Sequence, residues 1–279
     1  MQIRIGYDIA YDCPQPTFSI LMLNVHYSRV PDLVTPDHIM ASPTVPLAGY
    51  RDAFGNWCTR AMLPAGETSF SARAIIRDSG APDPVRADAR ETPVHELPDE
   101  ALMYLLGSRY CETDRLMATA WSLFGTMAPG WARVQAICDY THDRIEFGYP
   151  HARPTKTAFE AHEERRGVCR DFAHLAVTLC RCMNIPARYC TGYLGDIGVP
   201  LVDSPMDFSG WFEAFLDGQW YAFDARHNIP RIGRILIARG RDAADVAITT
   251  SFGPNRLARF VVVTEEIAET TKAPAAMQA

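Results

Sequence analysis

Two apolar-aromatic runs, Ser209 to Leu216 and Gln219 to Asp224, flank the dipeptide Asp217-Gly218. A two-residue loop of this composition is the signature of a type I′ hairpin, because both residues must tolerate positive φ. No other stretch limits the fold as tightly, since the turn fixes the register. Leu216 then opposes Gln219, Trp211 opposes Asp224 and Ser209 opposes Arg226. Side chains of one face recur every second residue, so Ser209, Trp211, Asp224 and Arg226 share a face. Position 209 is the diagonal neighbour of Asp224, within reach of a medium-sized side chain.

The stretch Gly167-Val168-Cys169-Arg170-Asp171-Phe172-Ala173-His174-Leu175 opens a helix expected to run to about Met183. Val168, Phe172, Leu175, Ala176, Leu179 and Met183 recur at helical spacing on one face. Asn184 suits the position past the end, and Pro186 forbids continuation. Cys169 therefore belongs in the first turn, where free N–H groups and the helix dipole favour a thiolate. The plain alternative is a small buried hydrophobe among eight cysteines. His174 lies five residues on, roughly 140° around the helix, so it points elsewhere and is expected to be a buried structural histidine.

The rest of the chain divides by pattern. Residues 1–88 alternate in the strand period, as in Ile3, Ile5, Tyr7, Ile9 and Tyr11, with many prolines and glycines between runs. Short strands with turn signals suggest a β-sandwich domain. Residues 89–98 continue a Pro- and charge-rich segment expected to be a linker. Residues 99–266 form a second domain that starts with helical periodicity (Asp114 to Phe124, Trp131 to His142, Thr157 to His162) and ends in strands. His142 falls at a helix C-terminus, where a cation suits the dipole. The tail, 267–279, is expected to be disordered. The net charge of −6 and the absence of a basic block give no expectation of a nucleic-acid or anionic-membrane partner. Charges in the first eight residues stand where a signal peptide needs an apolar run. No apolar segment is long enough to span a bilayer, so the expected compartment is the cytoplasm, with thiols reduced. There is no C-x-x-C pair, and Cys180 and Cys182 point roughly 200° apart on a helix. Neither a metal nor another cofactor is expected.

These features together make the chain resemble the transglutaminase-like superfamily of bacterial cysteine enzymes. The resemblance rests on Gly167 to His174, on Asn184-Ile185-Pro186-Ala187-Arg188, on Tyr193-Leu194, on Trp211-Phe212-Glu213-Ala214, and on Phe223-Asp224 with Asn228. It implies an α+β fold: a papain-like transglutaminase core, here preceded by the β-sandwich. It implies a Cys nucleophile, a His base and an Asp orienter, placing the nucleophile at Cys169 and the orienter at Asp224. The family's histidine stands two residues before the tryptophan, where this chain has Ser209. A serine hydroxyl is not appreciably basic near neutral pH. His227 is a replacement base only if the chain turns near Arg226, because residue 227 otherwise faces away from Asp224. Trp211 and Asp171 are candidate substrate-binding residues, with a core or cleft wall and a helix-end carboxylate as their plain roles. The expected function is a peptidase, amidase or acyl transferase acting on peptide or protein amides through an acyl-thioester on Cys169. The alternative is a weakened relative that binds a peptide or protein partner in the same cleft.

Overall fold

The structure is a computed structural model that describes residues 1–201 and 206–268. The end of the 195–205 loop and all but the first two residues of the 267–279 tail lie outside the described residues. Seven strands come first: β1 (Gln2–Cys13), β2 (Thr17–Leu21), β3 (Leu33–Thr35), β4 (Met40–Ser42), β5 (Leu47–Arg51), β6 (Trp57–Leu63) and β7 (Gly66–Arg77). A helical section follows: α1 (Asp99–Leu102), α2 (Thr113–Phe124), α3 (Trp131–Arg144), α4 (Ala158–Glu164) and α5 (Cys169–Cys182), with the short β8 (Glu146–Phe147) and β9 (Arg166–Gly167) between them. The chain then returns to strands: β10 (Ala187–Tyr193), β11 (Ser209–Leu216), β12 (Gln219–Phe223), β13 (Ile235–Gly240), β14 (Thr249–Ser251) and β15 (Arg256–Ile267).

The α5 helix is the centre of the fold. It lies on an antiparallel sheet ordered β12-β11-β10-β13. Phe172, Leu175, Ala176 and Leu179 pack with Phe212, Ala214 and Leu216 from that sheet, and with Leu116 of α2 and Val134 and Ile137 of α3. Burying each large apolar side chain contributes about 1.5–3 kcal/mol. The sequence pattern predicts one apolar stripe, but every residue from Asp171 to Cys182 is buried. The physical reason is that the sheet covers one side and α2, α3 and α4 cover the other. Among the buried polar residues of this run, Arg181 donates to the carbonyls of Leu106, Ala187 and Arg241.

Further along β10 and β13 the same sheet face continues onto the N-terminal strands, Tyr189 and Tyr193 having the strand parity of Ala187. Tyr189, Tyr193, Ile235 and Ile237 share one apolar cluster with Ile5, Tyr7, Ile9, Leu23 and Phe70. Two sheets, β14-β2-β6-β5 and a five-stranded sheet containing β15-β1-β7-β3 with β4 beside β7, contribute to that cluster. Here the structure departs from the 99–266 boundary. The last strand, β15, pairs antiparallel with β1 from Gln2↔Ile267 to Asp12↔Arg256, and β14 pairs with β2. β1 has apolar side chains and would expose a row of unpaired backbone groups on one edge; β15 supplies the missing partner. The segment before α1 is docked rather than free. Ala89 is buried and its carbonyl accepts from Trp131 N–H at 2.9 Å. The Glu91 carboxylate accepts from Gly130 N–H and Arg133 at 3.0 and 2.9 Å.

Candidate active site

The hairpin forms as its composition requires. Asp217 and Gly218 have φ of 50° and 77°, Leu216 opposes Gln219, and Phe212 opposes Phe223. β12 ends at Phe223, and Asn228 N–H closes a turn onto the Asp224 carbonyl at 2.8 Å. That turn is clamped to α3: Gln135 donates to the Asn228 side-chain oxygen, the Asn228 amide donates to Asp139, and His142 Nδ1–H donates to the Arg226 carbonyl at 2.9 Å.

Because the chain turns, His227 comes back to Asp224, its Nδ1 2.8 Å from Oδ2. The same carboxylate accepts from Arg234 Nη2 at 2.9 Å and from the N–H groups of Arg226 and His227 at 3.0 and 3.1 Å. Burial alone would raise the Asp224 pKa, but the Arg234 charge and the His227 hydrogen bonds outweigh it and hold the carboxyl well below the usual range. Ser209 pairs with Gly192 on β10; its hydroxyl is buried and has no partner among the described residues.

Cys169 is the first residue of α5 and is half-buried. At this position the surroundings of the thiol oppose the pull of the helix start. Burial, reinforced by the Asp207 charge, raises the thiol pKa; Arg226 and the Gly210 N–H oppose this without reversing it. The sulfur opens into a cavity of about 550 Å³. Tyr110, Tyr149 and Arg170 form one wall, Asp207 and Phe208 the approach to β11, and Val246, Ile248 and Phe260 an apolar wall. Phe260 belongs to β15, so the cleft is shared between the core and the strands that complete the N-terminal sheets. A cavity of about 620 Å³ among the N-terminal strands, beside Tyr27, Arg51 and Trp57, has no cysteine in its lining.

The remaining sequence candidates sit elsewhere. Trp211 is buried with Cys190 and Leu236, with the Arg234 guanidinium 5.2 Å from its ring, and is absent from the cleft lining. Asp171 is buried and caps α5, accepting from Val168 N–H at 2.9 Å; it too is absent from that lining. Burial raises its pKa, against that hydrogen bond and Arg170. His227 is likewise not a lining residue. His174 is buried between Tyr110 and Tyr189, and its Nε2 accepts from Ala243 N–H at 3.1 Å. Burial holds its pKa well below the ordinary value. Glu213 pairs with Arg188.

Sequence reasoning missed Asp207, Gly210 and Arg234, and it placed Arg226 on the hairpin face without giving it a role. A signal for the first existed: Asp207 stands two residues before position 209, and thus at the same strand parity. Among the described residues no group of three or more His, Cys, Asp or Glu side chains could hold a metal ion.

A profile of the transglutaminase-like superfamily matches residues 119–225. A solved structure from Cytophaga hutchinsonii, described as a candidate cysteine protease, superposes with a TM-score of 0.82 at 30% identity, covering 95% of this chain and 90% of that one. The periplasmic domain of TgpA from Pseudomonas aeruginosa superposes with a TM-score of 0.39 at 16% identity, over 78% of this chain and 75% of that one. An uncharacterized protein of Mycobacterium leprae is 34% identical over 94 residues, which is 33% of each chain. The match thus spans about a third of the length of that curated relative.

Proposed function

From the premise that this chain belongs to the transglutaminase-like superfamily, we propose that it is a thiol enzyme acting on amide bonds of peptides or proteins through an acyl-thioester on Cys169. The observation that carries this reading is the placement of Cys169: a first-turn residue of α5, opening into the shared cleft. Its sulfur attacks the acyl carbon, the C–N bond breaks, and the amine leaves with a proton. Water then gives hydrolysis, or an amine gives transfer, and the thiol is restored. First-turn N–H groups, which lack intrahelical acceptors, are the proposed donors to the oxyanion. The eight free thiols suit a reducing compartment, for which the cytoplasm is our proposal.

The test is acylation by p-nitrophenyl acetate followed by peptide mass spectrometry. The expected product is an acetyl group on Cys169, absent in Cys169→Ala. An unmodified Cys169 in the wild type would sink the proposal.

A second reading is favoured by Ser209: a weakened relative that retains the cleft to bind a peptide. Under it, Ser209→His creates hydrolysis that the wild type lacks. A wild type already active, and damaged by Ser209→His, eliminates this second reading.

A further inference from the structure

The cleft has a nucleophile but lacks the histidine expected to serve it. Its titratable lining residues are Cys169, Asp207, three tyrosines (Tyr110, Tyr149, Tyr189) and three arginines (Arg109, Arg153, Arg170). Among the described lining residues there is no histidine, and Asp207 is the one carboxylate. Tyrosines and arginines hold their protons near neutral pH. Of the described lining groups, the carboxylate is the one able to accept a proton. Asp207 and Phe208 line the same cleft as Cys169, and the Asp207 charge and the Gly210 N–H both act on the thiol.

We propose that Asp207 exchanges the proton of Cys169 during acyl transfer, occupying the chemical role that Ser209 cannot fill. The inference rests on the acyl-thioester reading. In acylation the Sγ–H proton passes to a carboxylate oxygen as the S–C bond forms, and the carbonyl becomes an oxyanion. The Asp207 carboxylic acid then protonates the amide nitrogen as the C–N bond breaks. In deacylation the carboxylate takes a proton from the attacking water or amine, the C–S bond breaks, and the proton returns to the sulfur. Burial raises the Asp207 pKa, against the Phe208 N–H and Arg226, and a raised pKa makes a stronger base for work near neutrality. The charged and titratable groups around it are Arg226 on the hairpin turn, which acts on its charge, and, lining the same cleft, Cys169 and Arg170 on α5, Tyr189 on β10, and Arg109, Tyr110, Tyr149 and Arg153.

The role makes two readouts move in opposite directions. Removing the Asp207 charge lowers the thiol pKa, so Asp207→Asn alkylates faster at Cys169 with iodoacetamide at neutral pH. The same change removes the base for deacylation. Steady-state hydrolysis of p-nitrophenyl acetate then falls roughly 10²- to 10⁴-fold, the usual span for a general base, while acetyl-Cys169 accumulates. Asp207→Glu, which keeps the carboxylate, restores part of the turnover. Alkylation and turnover falling together in both variants would mean a structural role and overturn the inference. Turnover in Asp207→Asn equal to the wild type overturns it too, and leaves the acyl-thioester reading standing. A wild type that never acetylates Cys169 overturns both.

Discussion

The two ends of the expected catalytic line are built differently. Asp224 is held by Arg234, by the His227 ring and by two backbone N–H groups. Among the described residues, Cys169 Sγ is met by a backbone N–H and an opposing carboxylate charge. Asp224 is biased toward its charged form; the Cys169 thiol is biased toward its protonated one. The contrast teaches that a carboxylate at the expected orienter position can also tie separate elements together. Asp224 joins the hairpin turn to Arg234, and Arg234 is joined in turn to Asp83 of the segment before α1 at 2.7 Å.

The comparison breaks most visibly at Arg234. Arg234→Ala leaves a buried carboxylate without its cation and is expected to cost about 3–5 kcal/mol, measured by urea denaturation. A loss below about 1 kcal/mol, the level of an exposed pair, would show that the carboxylate is not dependent on this pair. His227→Ala removes a hydrogen bond to the same charge, with an expected cost of about 1.5–3 kcal/mol. Turnover should fall only with the folded fraction; a disproportionate loss at permissive temperature would move the base from the cleft to His227. Acid titration sharpens the same point. The folded Asp224 pKa is depressed, so its stabilisation is present above the unfolded carboxylate range and is lost as pH falls toward the folded value. Asp224→Asn should therefore flatten the acid limb of a stability-against-pH curve, and an unchanged limb would assign it to other carboxylates. The smallest effect belongs to the turn that sets both positions. Gly218 has φ of 77°, so Gly218→Ala should cost about 1–2 kcal/mol by thermal melting.

Local rules carried part of this architecture in the sequence. The Asp217-Gly218 turn dictated the register that brings Phe212 against Phe223, and the spacing from Val168 to Met183 located α5 and its first turn. Both depend on residues within a few positions of one another. The pairing of β15 with β1 was invisible because it joins segments at opposite ends of the described chain, and strand patterning does not identify a partner. The opposing pull on the Cys169 thiol was invisible for a similar reason: a helix start is local, but burial and the charge of Asp207 arise only from the fold. Arg234 escaped notice because its two carboxylate partners, Asp83 and Asp224, are far apart in sequence.

The pairing of β15 with β1 also sets an order of events during synthesis. Domains tend to fold from the N-terminus as the chain emerges, yet β1 must wait for a strand translated near the far end of the described chain. Phe260, which closes the apolar wall, travels on that strand. The thiol is thus made long before its pocket exists, and a nascent chain carries Cys169 in an unfinished site. Completion of the sheet that holds β15 and closure of the cleft beside Cys169 are one event.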